Sequence, residues 1–426
     1  MMFRFCLSFL TVLLFVSCCD CKNESSDGIV QEFRYDVDVC DAFMVERLDR
    51  IDSVFQGLVD EGVLPNAVTF VAHRGRVVHH KAYGWSNREK GEMCEDDAIF
   101  RIASQSKAIA VVGLMTLWEE GKFQLDDPIK RYLPYFEHPE VLVSYDAKSG
   151  ECHTRPADKD ITIRHLLTHT SGISYQGVHG EIARRRGVPT LNSLDSVSLA
   201  GMVEGIARLP LAHDPGTQFT YSMNTDVLGR LIEVLSGESV DVFLRRRIFD
   251  PLGMKDTYFR LPEEKVERLV KLYGYDAEKE SLQLSKHEVF QSFLYAGAGT
   301  LCSTGAGLCG TIEDYARFCQ MVLNGGEFNH QRIIGRKTLE LMQRNAVGDL
   351  RGEIGFGLAW DVFREEYLHR TVVSEGAMRW GGMFCTDYVI DPQEELIVLF
   401  YTNVYPATPG VRPKELMHNL VYQALR

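Results

Sequence analysis

The sequence lacks several patterns that would assign it to a well-known class of site. It has no Cys-x-x-Cys pair, and His287-Glu288 is not followed by a histidine at metalloprotease spacing, so we expect no metal and no cofactor. His79 and His80 are neighbours in a predicted strand and point to opposite faces, which does not suit a shared metal ion. There is also no Gly-x-Ser-x-Gly elbow, which argues against an α/β-hydrolase and favours a packing role for His169 over a Ser-His-Asp triad.

Positive charge is scarce as well. The 426 residues include 46 Lys and Arg against 59 Asp and Glu, which gives a formal net charge of −13. Because phosphate binding needs clustered cations, this balance argues against a nucleic-acid partner. The two arginine triplets, at 184–186 and 245–247, are short and are interpreted as solvated helix faces.

No apolar run in the sequence is long enough to span a bilayer. Phe5 to Val16 is apolar and too short to span a bilayer, which predicts a signal peptide over residues 1–21. Its end, Phe15-Val-Ser-Cys18, resembles a bacterial lipobox, in which the cysteine becomes lipidated; simple cleavage and secretion is the alternative. We expect a lipid anchor on Cys18 as the only membrane contact, a tether over 22–44, and an exported location in the bacterial cell envelope, periplasmic or at the cell surface.

Hydrophobic periodicity predicts strands near both ends of the chain and helices between them. A strand pair is predicted at 68–72 and 77–80, and a second pair at 387–390 and 396–401. Helices are predicted at 48–63, 103–121, 227–235, 240–249, 312–324 and 413–425. This order predicts an α+β fold in which one sheet is assembled from both ends of the chain and a helical lobe is inserted.

Ser104-Gln-Ser-Lys107 is the single Ser-x-x-Lys motif, and it lies at the start of the helix predicted over 103–121. Residues three apart share a helix face, so the hydroxyl and the amine can come within hydrogen-bond distance. A lysine desolvated in a cleft can act as a base toward serine. Taken alone, the motif is better explained by a helix cap at Ser104 with a solvated Lys107.

Two further elements bear groups that could serve catalysis. Tyr221 lies at a predicted loop-to-helix junction, where its phenol could relay a proton; the alternative is a half-buried aromatic bonded to the backbone. Trp380-Gly381-Gly382 precedes the final strand pair, and glycines there let the backbone approach a ligand. The next N–H, of Met383, could contribute to an oxyanion hole, although a plain turn also explains the glycines.

Together these elements resemble the penicillin-recognising serine hydrolases, specifically the class C β-lactamase-like family, with the family VIII carboxylesterases as the best match within it. The resemblance covers almost all of residues 45–426, in the order of the family. Its blocks are Phe100 to Lys107, Glu119 to Pro128, Ile161 to Gly172, Asp214 to Ser222, and Arg379 to Gly382 followed by Asp391-Pro392.

The resemblance implies a β-lactamase/transpeptidase-like fold, a mostly antiparallel sheet flanked by helices with an inserted α-helical lobe. It places the α/β lobe at about 45–145 and 290–426 and the helical lobe at about 146–289. The same resemblance implies that Ser104 is the nucleophile of an acyl-enzyme and that Lys107 and Tyr221 transfer protons. The N–H groups of Ser104 and Met383 are then expected to hold the oxyanion, next to substrate-binding Trp380, Gly381 and Gly382.

The sequence departs from the family's β-lactamases at two positions. Their Tyr-x-Asn has Met223 in third place, with Asn224 one residue late, and their Lys-Thr-Gly is replaced by Trp380-Gly-Gly. Losing that lysine removes the cation expected to hold a β-lactam carboxylate. We therefore expect a serine acyl hydrolase for small-molecule or peptide acyl substrates, with neutral esters or amides favoured. The alternatives are a β-lactamase or peptidoglycan D,D-peptidase of the same fold, and a catalytically silent envelope-binding scaffold.

Overall fold

The computed structural model describes residues 29–35, 41–189 and 192–426. The strands are β1 (Asn66–His73), β2 (Arg76–Asn87), β3 (Glu92–Met93), β4 (Phe100–Arg101), β5 (Glu140–Tyr145), β6 (Cys152–Pro156), β7 (Tyr273–Asp276), β8 (Ser281–Leu284), β9 (Cys309–Gly310), β10 (Glu327–Phe328), β11 (Gln331–Arg332), β12 (Gly355–Phe356), β13 (Asp361–Val362), β14 (Met378–Gly381), β15 (Asp387–Asp391) and β16 (Leu396–Tyr401).

The α-helices are α1 (Val45–Leu48), α2 (Arg50–Asp60), α3 (Ser106–Glu119), α4 (Ile163–Leu167), α5 (Gly177–Arg185), α6 (Leu199–Ala207), α7 (Asn224–Ser236), α8 (Val240–Leu244), α9 (Asp250–Leu252), α10 (Glu288–Ser292), α11 (Ile312–Leu323), α12 (Arg336–Met342) and α13 (Pro413–Tyr422). None of these helices is long and apolar enough to cross a bilayer. The predicted signal peptide, with Cys18, lies outside the described residues.

One eight-stranded antiparallel sheet carries the fold, in the order β12-β13-β14-β15-β16-β1-β2-β3. Its two halves join where β1 lies antiparallel to β16, with Val68 opposite Tyr401. Every residue of β16 is buried, because α11 covers one face of the sheet while α2 and α13 cover the other. The prediction of one sheet built from both ends of the chain is therefore confirmed.

Helix α3 lies at the centre of the helical side of the molecule. Its residues from Ser106 to Leu117 are all buried, because α3 packs against both α7 and α8. The approach to α8 is close: a Cβ at Gly113 would lie 2.6 Å from a methyl carbon of Leu244. A helix enclosed on all sides needs no polar face, which accounts for the continuously apolar sequence after Lys107.

The predicted elements are present, and several differ in detail. The helix predicted over 48–63 is broken at Asp49 into α1 and α2, and the one predicted over 103–121 begins with a 3-10 turn at 103–105. The segment predicted as a helix over 240–249 contains α8 and then a π-helical turn, Arg245–Phe249. The division into two lobes stays a prediction. The β5–β6 hairpin crosses the first predicted boundary between the lobes, near residue 145.

Residues 29–35 pack against the sheet although they fall inside the predicted tether. The N–H of Arg34 donates to the carbonyl of Gly75 at 3.0 Å. The ring of Phe33 lies edge-on to that of Phe70, with their centroids 5.3 Å apart. The segment at 22–44 is polar on average, so its composition does not indicate the packing of Phe33. The partial burial of Phe33 offsets the entropy lost on ordering residues 29–35.

Residues 41–44 also belong to the folded domain. Phe43 is fully buried, and the N–H of Met44 donates to the carbonyl of Ala424 at 2.7 Å. The start of the domain is thus tied to the residues that follow α13. The prediction of a tether over 22–44 is therefore wrong for residues 29–35 and 41–44, which are parts of the domain.

A buried ion-pair network holds α13 against the sheet. Asp387 on β15 is only 1% exposed; it accepts a hydrogen bond from His418 Nε2 at 2.8 Å and pairs with Arg379 Nη2 at 3.0 Å. Burial opposes ionisation of Asp387, but Arg379 and His418 outweigh it and lower its pKa to about 2. The ionised carboxylate therefore fixes α13 beside β14 and β15.

We predict that Asp387→Asn lowers the free energy of unfolding at pH 7 by about 3 to 5 kcal/mol, because it leaves the half-buried Arg379 without its counter-charge. The folded-state pKa lies below the ordinary value of 3.8. The stabilisation is thus complete above about pH 4 and is lost as the pH falls toward 2.

Urea unfolding at pH 7, 5 and 3 measures this difference. The control is Asp96→Asn, which removes an exposed carboxylate and should change stability by less than about 0.5 kcal/mol. A difference between wild type and Asp387→Asn that grows as the pH falls contradicts the assignment.

Candidate active site

Ser104 follows a residue with a strained backbone. Ala103, which is fully buried, has φ +44°, and for a residue with a Cβ this left-handed conformation costs about 1 kcal/mol or more. The turn at 103–105 leads directly into α3 and places Ser104 in the wall of a cavity of about 520 Å³. A non-glycine residue held in this conformation next to a cavity is typical of a functional turn.

Lys107 is buried beside Ser104, as the helix periodicity predicts. Its side chain is 7% exposed; Nζ donates to the carbonyl of Gly305 at 2.6 Å and lies 3.4 Å from Ser104 Oγ. Ser104 caps neither the 3-10 turn nor α3 through its side chain. The alternative of a helix cap with a solvated lysine is therefore wrong, and the two groups are within proton-transfer distance.

Asp226, in the first turn of α7, completes the surroundings of the lysine. It is 3% exposed, and Oδ1 accepts from Ser303 Oγ at 2.7 Å and from the Gly305 N–H at 3.0 Å. Burial raises the pKa of Asp226, and the nearby Lys107 partly offsets that rise. No sequence motif marks Asp226 as a site residue; its one signal is its place just after the Tyr221 block.

Gly305 connects these two groups. Its carbonyl binds Lys107, and its N–H binds Asp226. A Cβ at this position would collide with the carboxylate of Asp226, so only glycine lets the loop pass between the two side chains. This explains one glycine of the small-residue stretch at 303–307.

Tyr221 lies over the lysine in the same cavity. Lys107 Nζ is 4.7 Å from the centroid of the Tyr221 ring, a cation–π distance for the protonated amine. The phenol oxygen is buried and has no hydrogen-bond partner among the described residues. The alternative of a phenol bonded to the backbone is therefore wrong, and the hydroxyl is available to a bound molecule.

His169 packs behind Tyr221, with their ring centroids 4.8 Å apart. Nδ1 of His169 bonds to the side-chain amide of Asn224 at 2.9 Å. Burial, followed by the charges of Lys107 and Arg351, holds the pKa of His169 well below its ordinary value, so the ring is neutral. A neutral imidazole bonded to an amide fits the predicted packing role and lacks the carboxylate that a Ser-His-Asp triad requires.

Asn224 does not replace the asparagine of a Tyr-x-Asn motif. It is fully buried, and its side chain bonds to Ser171 and His169. Met223 lines the cavity instead. The departure noted in the sequence thus leaves the cavity without that amide group.

The end of β14 lies directly against the turn that carries Ser104. A Cβ at Gly382 would lie 2.5 Å from the carbonyl oxygen of Ile102, so glycine is needed for this approach. The backbone N–H groups of Ser104 and Met383 have no acceptor within the described part of the chain, and both residues line the cavity. Unpaired N–H groups beside a nucleophile can receive an oxyanion.

Trp380 and Gly381 belong to strand β14, so the alternative of a plain turn is wrong for these two residues. The turn begins after Gly381. Its indole lies 5.2 Å from the Tyr221 ring and 5.4 Å below the guanidinium of Arg351, measured between centres. Arg351 is paired with Asp361 through two hydrogen bonds of 2.6 and 2.9 Å. Trp380 therefore lines the cavity at the sequence position that a lysine holds in the family's β-lactamases.

No group of three or more acidic, histidine or cysteine side chains suited to a metal occurs in the ranges that the structure describes. The residues around Ser104 supply a nucleophile, an amine, a phenol and free N–H groups. The structure thus brings Ser104, Lys107, Tyr221, Trp380, Gly381, Gly382 and Met383 together in one cavity.

Several known proteins are similar to this chain in sequence. A protein of Mycobacterium tuberculosis, Rv1367c, is 31% identical over 368 residues, covering 83% of this chain and 89% of its own. Esterase EstB of Burkholderia gladioli is 28% identical over 372 residues, covering 83% of this chain and 90% of its own.

Solved structures show the same fold. EstCE1, described as a hydrolase with promiscuous acyltransferase activity, superposes with a TM-score of 0.75 at 28% identity, covering 88% of this chain and 99% of its own. A variant of simvastatin synthase from Aspergillus terreus superposes with a TM-score of 0.76 at 22% identity, covering 89% and 98%. Residues 51–421 match the family model named Beta-lactamase, and the chain belongs to that family.

Proposed function

We propose that this chain is a serine acyl hydrolase that cleaves esters through an acyl-enzyme on Ser104. The observation that carries the proposal is the 3.4 Å separation between Ser104 Oγ and the buried amine of Lys107, at the edge of a cavity. Among the relatives, EstB is named an esterase, and a 31% identical protein of Penicillium rubens, aligned over 49% of this chain, is named lovastatin esterase.

Acylation requires a base and a place for negative charge. The Lys107 amine accepts the Ser104 proton as Oγ attacks the ester carbonyl, and the N–H groups of Ser104 and Met383 bind the oxyanion. The unpartnered Tyr221 hydroxyl protonates the departing alcohol. The acyl group remains on Ser104.

Deacylation reverses the same proton path. A water molecule takes the place of the alcohol and gives a proton to the Tyr221 phenolate, and its oxygen attacks the acyl carbon. Ser104 takes its proton back from Lys107 as the bond to the acyl group breaks, and the acid leaves. Asp226 positions Lys107 through Gly305 and does not touch the reacting atoms.

The alternatives within the fold are less well supported. The side chain of Asn224 is occupied by Ser171 and His169, and Trp380 fills the place of the β-lactamase lysine. A silent scaffold would have no need to hold Ser104, Lys107 and Tyr221 together around a cavity. Ester cleavage needs neither of the two missing groups.

A fluorophosphonate probe should label Ser104, because a nucleophile activated by an adjacent amine attacks phosphorus. Intact-mass and peptide mass spectrometry should find one adduct in wild type and none in Ser104→Ala. Ser222→Ala is the matched control, since Ser222 lines the same cavity and should leave the labelling in place. An adduct on another residue sinks the assignment, and no adduct in wild type favours the silent scaffold.

Short-chain 4-nitrophenyl esters should be cleaved with a kcat/KM higher than that of a chromogenic cephalosporin by about two orders of magnitude. A site lacking hydrogen-bonding partners for a substrate loses discrimination energy of that order, and here the Tyr-x-Asn amide and the third-motif lysine are both absent. Initial rates over a range of substrate concentrations measure the ratio. Equal or reversed values would show that the changes at Met223 and Trp380 do not set the substrate.

We further propose that the protein is exported to the bacterial cell envelope and anchored by a lipid on Cys18. The supporting features are the short apolar leader and the Val-Ser-Cys18 sequence that ends it.

Cys18→Ala should move the protein from the membrane fraction to the soluble fraction of expressing cells, because the acyl chains supply the anchoring free energy. Cys21→Ala, which changes a neighbouring cysteine, should remain in the membrane fraction. Immunoblots of both fractions test this. An unchanged distribution of Cys18→Ala refutes lipidation at that residue.

A further inference from the structure

The active-site cavity has a lysine that no sequence motif indicates. Lys414 is the second residue of α13, is half-buried, and lines the same cavity as Ser104. Its Nζ would lie 3.0 Å from a Cβ placed on Gly381. An ammonium group thus stands at the end of β14, next to the glycines that approach Ser104.

The other two cations on this wall of the cavity are neutralised. Arg351 is paired with Asp361, and Arg379 is paired with Asp387.

Lys414 has no carboxylate within 4 Å among the described residues. The nearest acids are already engaged or turned outward. Asp387 is shared by Arg379 and His418, and Glu415 is exposed. Lys414 contributes to lowering the pKa of Asp387, but neither acid pairs with it directly, and a partly desolvated ammonium without a paired carboxylate favours an incoming anion.

This position changes what the sequence implied about substrate charge. The family pattern places a cation at the third motif, where this chain has Trp380. The structure supplies one from α13, beside Gly381, the residue after Trp380. The cavity, at about 520 Å³, has room for a small ester together with a carboxylate.

We propose that Lys414 is an anion-binding residue of the active site and that the preferred substrates are esters carrying a carboxylate. The inference rests on the proposed ester hydrolysis and narrows its substrate class. The carboxylate can belong to the acyl part, as in a monoester of a dicarboxylic acid, or to the alcohol part, as in an ester of a hydroxy acid. Both present the same charge to Lys414.

Two matched pairs of esters distinguish these sources. For the acyl side, 4-nitrophenyl hemiglutarate is compared with neutral 4-nitrophenyl pentanoate. For the alcohol side, 4-carboxyphenyl pentanoate is compared with neutral 4-carbamoylphenyl pentanoate. In at least one of the two pairs, Lys414→Met should lower the ratio of kcat/KM for the charged ester to kcat/KM for the neutral ester about tenfold, mainly through KM. Lys414→Arg should restore most of that ratio. The pair that responds identifies the part of the ester that carries the carboxylate.

Lys122→Met is the control, since it removes the same charge at an exposed position outside the cavity. Its ratios should match those of wild type. Because each ratio is taken within one variant, the neutral ester corrects for any loss of folded protein. Ratios unaffected by Lys414→Met in both pairs, or altered equally by Lys122→Met, overturn the proposal.

A binding measurement separates this inference from the proposed function. Calorimetry with glutarate is carried out on Ser104→Ala and on Ser104→Ala/Lys414→Met. We expect the dissociation constant to be about tenfold higher in the double variant, and equal affinities refute the subsite. If wild type cleaves none of the four esters, the proposed function fails, while this comparison still decides the role of Lys414.

Discussion

The site depends on the burial of one amine. A lysine that is 7% exposed needs polar partners, and Lys107 finds them in the Gly305 carbonyl and the Ser104 hydroxyl. Because the N–H of Gly305 also binds Asp226, the Lys107 amine is connected through Gly305 to the first turn of α7. The contacts of Gly305 thus join α3, α7 and the loop at 303–307. Three distant parts of the chain are thereby held at fixed separations, which is what proton transfer over hydrogen-bond distances requires.

The parts of the fold that the sequence predicts are those with strong local patterns. Alternating or continuous apolar strands at 68–80 and 387–401, and the enclosed helix after Lys107, are found close to their predicted limits. The N-terminal stretch is different because its composition is polar on average. Phe33 and Phe43 decide its structure through long-range contacts, and composition averaged over a window does not reveal two aromatic residues that find distant partners.

The same distinction separates the site residues. Ser104, Lys107, Tyr221 and Trp380 lie in blocks whose chemistry is readable locally, and the structure brings them together. Asp226 and Lys414 act at positions set by tertiary packing. Lys414 reaches the cavity because α13 packs on the sheet, where His418 bonds to Asp387 and Met417 and Val421 are buried. No spacing along the chain connects Lys414 to Gly381, so pattern analysis could not include it.

The contacts of residues 29–35 also determine a working distance. If Cys18 is the anchor, twelve peptide units join it to Val30, the first residue that packs against the domain, and a fully extended chain of that length spans roughly 40 Å. The active site then stays within that distance of the membrane surface. It encounters esters at the concentration found next to the lipid surface. Release of Phe33 from the sheet would lengthen the connection between Cys18 and the domain and allow the cavity to face other directions.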